Sequence, residues 1–394
     1  MHLLVISHKR CWRTPQGVVA TGGFPRQMEA LAQLCQRLVV AVPLQPTPVP
    51  AGAQPLRGES LEVLPLREPW GRGPVRKAAL APWLALHGPK LWRALGEADG
   101  VHALVPGDIG TLGLLLAQWR RKPLLVRHCG TWGLRTTAAD RFLARRLPRI
   151  AGGRTVVLAT GAGEGPPPPG GEGLHWIFST SLWRREMEEL PTADPWCPGS
   201  PLRLITVGRL SHGKNALAAV RAVAMLRDRK DHEPSLPEVH LEILGDGEAR
   251  SAVEEAIREL HLQSRVLLRG NVGHDEVLQA LARSHLFVFP TRVAEGFPKA
   301  VLEALAAGLP VLAPAVSALP HLLAPDAAGV APGALLKNTA ESSVAAAVAE
   351  WIRAGQQDSE TFARSGRLAR QRAHSYSLEA WRDAIAERLR EAWK

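Results

Sequence analysis

The chain has 394 residues, more than the roughly 250 to 300 at which one hydrophobic core stops growing, so two domains are the expectation. With 46% hydrophobic and 22% charged residues it can bury substantial cores, which excludes wholesale disorder. Net charge is +11, and residues 1–200 hold 24 Lys and Arg against 14 Asp and Glu while the remainder holds 24 against 23, so nearly all the excess lies in the first half. Such a half suits an anionic lipid surface, an acidic substrate or a nucleic acid; a solvated basic face is the plainer alternative.

In chain order, short apolar and β-branched runs alternate with longer helix-like segments, the pattern of parallel sheets wrapped by helices. In the first half this predicts strands at Leu3–Ile6, Leu38–Val42, Leu61–Leu64, His102–Val105, Leu124–Arg127, Thr155–Leu158 and His175–Phe178. Helices are expected near 24–36, 78–96, 109–119 and 138–147. The stretch GAGEGPPPPGGEG, Gly161–Gly173, reads as a surface loop. Residues 191–201, PTADPWCPGSP, carry four prolines and a glycine before a new strand, which sets the domain boundary at 190/191.

The second half continues with strands at Leu202–Val207, Val239–Leu244, Val266–Leu268, Leu286–Phe289 and Val311–Ala313. Helices are expected near 215–229, 248–260, 275–283 and 299–307. The second domain is thus 191–375, and 376–394 is a tail helix. There Ser377 can cap a segment whose Leu378, Trp381, Ile385 and Leu389 share one face, suited to packing back on the first domain.

The opening MHLLVISHKR has too short an apolar run, with charges on the wrong side, for a signal peptide. No stretch approaches the ~18 apolar residues of a membrane span. Cys11, Cys35, Cys129 and Cys197 form no CxxC pair, which disfavours a zinc knuckle or a disulfide framework. A cytoplasmic protein, soluble or peripheral to a membrane, is expected.

The sharpest local feature is EGFPKAVLEALAAG, Glu295–Gly308, directly after the strand at Leu286. Pro298 suits the first helical turn and Gly308 the stop, so Glu295 falls in the loop at the strand's carboxyl end. Open α/β sheets bind ligands at that edge, where helix amino termini present free N–H groups to phosphates. Glu303 lies in a helix otherwise of Ala, Val and Leu apart from Lys299, and a carboxylate buried there needs a hydrogen-bond partner such as a ribose hydroxyl. The other reading pairs it with Lys299 on a solvated stripe.

The E-x7-E spacing in EGFPKAVLEALAAGLPV resembles the donor-site signature of family 4 retaining GT-B glycosyltransferases (glycosyl transferases group 1). VGRLSHGKN (Val207–Asn215), ILGDGEAR (Ile243–Arg250) and VLLRGNVGHDEV (Val266–Val277) match further blocks in the same order, so the similarity runs from about Leu202 to Pro320. It implies an α/β fold of two Rossmann-like, doubly wound domains facing a central cleft, with the nucleotide sugar on the second domain and the acceptor on the first.

By that resemblance Glu295 contacts the donor sugar and Glu303 the ribose, Arg209 and Lys214 neutralise the diphosphate, and the backbone at Gly296 and Phe297 approaches it. Fixed cations suit a leaving nucleoside diphosphate, whose charge grows in the transition state. Gly245, in a Gly-Asp-Gly turn, and Asn271 with Val272 fall where relatives surround ribose and base; the turn would serve equally to reverse the chain. In the first half, Gly22 and Gly23 end a long loop, Ser7–Gly23, where relatives use a Gly-Gly loop to let donor or acceptor pass close to backbone, so the resemblance assigns both to the donor diphosphate; His8, Lys9, Arg10, Trp12 and Arg13 of that loop either meet an acidic acceptor or are solvated. His128, after the strand at Leu124, falls where relatives hold a His beside the reacting sugar; an isolated His at a strand end also serves structure alone. One departure from the family pattern is Phe178–Leu182, where relatives carry an Asn-Gly turn.

There is no D-x-D pair and no cluster with metal-ligand spacing, so no metal and no other cofactor is expected. The partners implied are a nucleotide-sugar donor and a glycan, lipid-linked or small-molecule acceptor. Peripheral contact with an anionic membrane at its inner face fits the basic half. Nucleic acid is disfavoured because the twelve Trp are not interleaved with Lys and Arg. Two other functions stay open: a non-hydrolysing sugar-nucleotide epimerase of the same fold, and a basic nucleic-acid-binding protein.

Overall fold

The computed structural model describes residues 1–46, 48–50, 52–132, 137–162 and 174–394, and the chain divides into two units, Met1–Ser181 with Leu378–Lys394, and Leu182–Ser377. Most of the expected Gly161–Gly173 loop lies outside the described residues; Gly161 and Ala162 end a strand.

In the first unit the elements are β1 (His2–Ile6), β2 (Cys11–Thr14), β3 (Gly17–Ala20), α1 (Phe24–Ala32), β4 (Arg37–Gln45), β5 (Gln54–Pro55) and β6 (Leu61–Leu66). There follow α2 (Gly73–Glu97), β7 (Gly100–Val105), α3 (Asp108–Trp119), β8 (Leu124–Trp132), α4 (Ala138–Ile150), β9 (Thr155–Ala162) and β10 (Leu174–Trp176). The parallel part of the sheet runs β10-β9-β8-β7-β1-β4-β6, so the order reverses between β1 and β7. Its strands are short and apolar because both faces are covered. On one face Leu4, Ile6, Val101, Ala103 and Val126 pack with Leu91 and Leu95 of α2, Leu114 of α3, and Leu143 and Leu147 of α4.

The expected long loop Ser7–Gly23 is largely a hairpin. β2 and β3 pair antiparallel around Pro15 and Gln16, and β2 continues the sheet beside the end of β4. Its cations are partly neutralised within the chain. Arg10 donates two hydrogen bonds to Glu68, at 2.8 and 2.9 Å, and Lys9 Nζ donates to Thr21 Oγ1 at 3.1 Å.

The second unit holds α5 (Arg184–Glu189), β11 (Leu202–Val207), α6 (Ala216–Lys230), β12 (Val239–Leu244), α7 (Arg250–Glu259), β13 (Val266–Gly270), α8 (His274–Ala282) and β14 (Leu286–Val288). Then come α9 (Lys299–Ala306), β15 (Val311–Pro314), α10 (Leu319–Leu322), β16 (Gly333–Leu336), α11 (Glu341–Gln357) and α12 (Thr361–His374). All six strands are parallel in the order β13-β12-β11-β14-β15-β16, the doubly wound plan with its switch point between β11 and β14.

The division between the units falls at Ser181/Leu182, nine residues before the expected 190/191. The reason is α5. Arg370 of α12 donates to the carbonyl oxygens of Met187 (3.1 Å), Glu188 (2.8 Å) and Leu190 (3.2 Å), which ties this short helix to the second unit. The proline-rich run that follows is anchored by Trp196, buried against Phe362.

The last helix, α13 (Leu378–Ala392), belongs to the first unit and buries Leu378, Trp381, Ile385 and Leu389. The Trp381 ring lies 5.0 Å from the guanidinium of buried Arg127 on β8. Arg127 in turn donates to Gln27 Oε1 of α1 at 2.9 Å, and Gln27 donates to the Thr180 carbonyl at 3.0 Å. The Gln27 hydrogen bond and the aromatic face replace part of the water this buried cation has lost, while its Nε has no partner among the described residues.

Gly110 of α3 packs so tightly on β7 that a Cβ there would sit 1.8 Å from the Leu104 carbonyl oxygen. Alanine in a helix ordinarily gains about 1 kcal/mol over glycine. Here Gly110→Ala is expected to destabilise by about 2 kcal/mol or more, because backbone must move. Chemical denaturation of the two proteins checks this; equal or greater stability of the variant would contradict the packing.

Candidate functional site

The carboxyl edge of the second sheet gathers most of the residues singled out by the sequence. β11 leads into Gly208–Asn215 with Arg209 and Lys214, and β12 into Gly245-Asp246-Gly247. β13 leads into Asn271 and Val272, and β14 into the segment that holds Glu295, Gly296 and Phe297 before α9 and Glu303. The loops after β11 and β14 flank the point where strand order reverses, the place where such sheets leave a crevice for ligands.

Backbone contacts fix these loops against one another. The Arg292 amide donates to the Gly213 carbonyl at 2.7 Å. Asn215, buried and in the left-handed region at φ 58°, donates Nδ2 to the carbonyls of Pro290 (3.2 Å) and Thr339 (2.8 Å). Asparagine tolerates that conformation and satisfies carbonyls that would otherwise be orphaned. At Gly245, φ is +137° and a Cβ would lie 1.9 Å from the Gly208 carbonyl oxygen, so the turn after β12 passes hard against the loop after β11.

Lys214 and Glu295 are brought together directly. Lys214 Nζ donates to Glu295 Oε1 and lies 5.0 Å from the centre of the Phe289 ring, and the two charged side chains are 24% and 25% exposed. Arg209 is exposed and forms no ion pair among the described residues. Phe297 is 8% exposed, its ring 5.4 Å from that of Tyr376, so its side chain is core and only its backbone faces a ligand-binding role.

Glu303 sits on α9 among buried Val301, Leu302, Ala304 and Leu305 with its side chain 13% exposed. Burial raises its carboxyl above the ordinary value, against the opposing influence of His274 and Lys299. The His274 Nδ1 lies 3.9 Å from Glu303 Oε1, beyond a good hydrogen bond. His274, which opens α8, and Asn215 carried no role in the sequence reading. Asn215 stood in the VGRLSHGKN block and His274 in VLLRGNVGHDEV, but only the fold puts them beside the site.

Gly22, Gly23 and His128 belong to the first unit. Gly22 takes φ +72° and Gly23 precedes the first turn of α1, which contains Pro25. His128 does not end its strand as expected; β8 continues to Trp132 through an irregularity in its register with β9 after His128. Its ring is 5% exposed, stands edge-on to Trp132 at 5.3 Å, and its Nδ1 is 3.1 Å from the Gly130 carbonyl oxygen. Because a carbonyl only accepts, Nδ1–H is the donor, and burial holds the imidazole below its ordinary pKa, leaving Nε2 as an acceptor. Cys129 points away and is exposed.

Residues 197–372 match the model of the family described as Glycosyl transferases group 1. The chain is 29% identical over 134 residues to the amylovoran biosynthesis glycosyltransferase AmsK of Erwinia amylovora, 33% of this chain and 31% of that one. It is 27% identical over 122 residues, 31% and 25% of the two chains, to the phosphatidylinositol N-acetylglucosaminyltransferase gpi3 subunit of Schizosaccharomyces pombe. Each aligned stretch thus spans about a third or less of these curated relatives. In three dimensions 99% of the chain superposes on 99% of Anabaena Alr3699/HepE, solved in complex with UDP and glucose, with a TM-score of 0.67 and 16% identity. WaaG, a glycosyltransferase involved in lipopolysaccharide biosynthesis, gives a TM-score of 0.60 at 17% identity over 98% of this chain and 99% of that one. The fold is GT-B, built from two Rossmann-like units.

A raised carboxyl means that ionising Glu303 costs more in the folded chain than in the unfolded one. The penalty is absent below the ordinary value of 4.5 and complete above the raised folded value. Glu303→Gln is therefore expected to raise the Tm of the ligand-free protein at neutral and alkaline pH, with the gain shrinking as pH falls toward 4.5. Scanning calorimetry across that range checks it; a variant less stable at every pH would contradict it.

Proposed function

We propose that the protein is a glycosyltransferase that moves a sugar from a nucleoside-diphosphate donor, UDP- or GDP-linked, to a hydroxyl of a glycan, lipid-linked or small-molecule acceptor. Configuration at the anomeric carbon is retained, and no metal takes part. The observation that carries this reading is the buried Glu303 carboxylate at the carboxyl edge of the second sheet, beside a switch point flanked by Arg209, Lys214 and Glu295.

On this reading the ribose hydroxyls donate to Glu303 and replace the water that burial has removed, so binding favours the ionised carboxylate. Arg209 and Lys214 meet the diphosphate, with the first free amides of α9 adding partial positive charge. Lys214 donates to Glu295. A diphosphate competes for that lysine and frees Glu295 to accept hydrogen bonds from the donor sugar, so charge is in place before the leaving group develops it. Gly245, Asn271 and Val272 line the ribose and base. Gly22 and Gly23 let the donor diphosphate pass close to backbone, and the Nε2 of a neutral His128 can accept a hydrogen bond from a hydroxyl of the reacting sugar. The absence of a D-x-D pair supports cations of the chain itself in place of a metal. A lipid-linked acceptor, and with it peripheral contact with an anionic membrane, suits the basic first unit.

Glu303→Ala is expected to weaken nucleoside-diphosphate affinity about ten- to a hundredfold, the worth of hydrogen bonds to a charged group. Glu295→Ala is expected to lower kcat about a hundredfold or more without weakening nucleotide affinity, since it also releases Lys214 for the diphosphate. Titration calorimetry and initial-rate assays measure the two, and ordinary behaviour of both variants would remove the site assignment. Chelation with EDTA is expected to leave turnover unchanged; loss restored by manganese would contradict the metal-free mechanism.

A further inference from the structure

Helices α2, α3 and α4 lie side by side as one layer over the first unit's sheet. Trp92 of α2 contacts Trp119 at the end of α3, ring centres 5.0 Å apart, with the Arg120 guanidinium 3.8 Å from the Trp92 ring centre. Arg146 of α4 donates to Gln118 of α3 at 2.8 Å. The outer surface of this layer is unusual in combining large apolar side chains with unneutralised cations. Trp119 is 75% exposed, Leu86 56%, Phe142 43% and Leu115 38%. Lys77, Lys90 and Arg93 of α2, Arg121 after α3, and Arg145 and Arg149 of α4 are exposed. The acidic side chains of the three helices are already engaged: Glu97 with Arg37, Asp108 with Arg76, and Asp140 in the capping box that starts α4.

We propose that this surface docks the protein on an anionic lipid bilayer, with Trp119, Leu115, Leu86 and Phe142 entering the headgroup and upper acyl region and the cations resting on phosphates. Two features select that occupant. An exposed indole flanked by Arg and aliphatic side chains matches the composition of an interfacial surface, apolar bodies in the boundary layer with cations at the phosphates. The exposed charge is predominantly positive, so a second copy of the same face would bring mostly cation against cation, whereas anionic lipid complements it. Nucleic acid would use the cations but leaves the exposed leucines without a partner. The surface gives the membrane contact of the preceding reading a location, yet uses none of the donor-site residues, so the two stand or fall separately.

The test is co-sedimentation of the full chain with phosphatidylcholine vesicles, with and without phosphatidylglycerol, alongside the variants Trp119→Ser and Arg145→Glu/Arg149→Glu. Binding is expected only with the anionic vesicles and is expected to weaken with added salt. Each variant is expected to reduce it about tenfold or more, with the chain still folded and nucleoside-diphosphate affinity unchanged. Equal binding to neutral vesicles, no binding to either, or variants that bind like the parent chain would overturn the proposal. So would variants that change only the oligomeric state, which would give the face to a second copy.

Discussion

Glu303 keeps a carboxylate where water barely reaches it, on a helix whose neighbouring side chains are Val, Leu and Ala. Burial raises its proton affinity against the opposing influence of His274 and Lys299, and the His274 Nδ1, 3.9 Å from Glu303 Oε1, stands beyond a good hydrogen bond. A charge left in that condition costs stability unless something supplies hydrogen bonds. The hydroxyls of a ribose are the right chemistry, and the position, at the carboxyl edge of a doubly wound sheet, is the right place. The proposed donor chemistry depends on that unmet demand.

The rest of the second unit holds the surroundings of this carboxylate still. Gly245 lets the turn after β12 press on the loop after β11, and Asn215, in a backbone conformation few side chains tolerate, ties that loop to the segment after β14. Lys214 and Glu295, from those two segments, meet as a partly buried pair. Such a pair is worth little to stability, since desolvation offsets attraction, but it stores two opposite charges side by side at the edge where the proposed diphosphate and sugar would meet them.

Parallel strands were readable in the sequence because burial on both faces makes them continuous apolar runs. Leu202–Val207 and Val239–Leu244 have the expected bounds, and the face of Leu378, Trp381, Ile385 and Leu389 is buried as its spacing implied. The hairpin of β2 and β3 was not readable, because its turn at Pro15 and Gln16 lacks an Asn-Gly or Asp-Gly signal and its strands are four residues each. Nothing local in the sequence announces that Arg370, far along the chain, binds the carbonyl groups of α5, so the proline-rich run rather than α5 reads as the boundary. Glu295, Glu303, Arg209 and Lys214 were legible as a motif. His274 and Asn215 were not, since their importance comes only from strand order. The end of β8 was misjudged at His128 because an irregular register lets a strand continue through Cys129 and Gly130.

The most direct measurement is a crystal structure of the chain soaked with a nucleoside diphosphate. The expected result places the ribose hydroxyls within hydrogen-bond distance of the Glu303 carboxylate and the diphosphate beside Arg209 and Lys214, with Lys214 drawn away from Glu295. A ligand bound elsewhere, leaving the Glu303 carboxylate untouched and the Lys214–Glu295 pair intact, would contradict it.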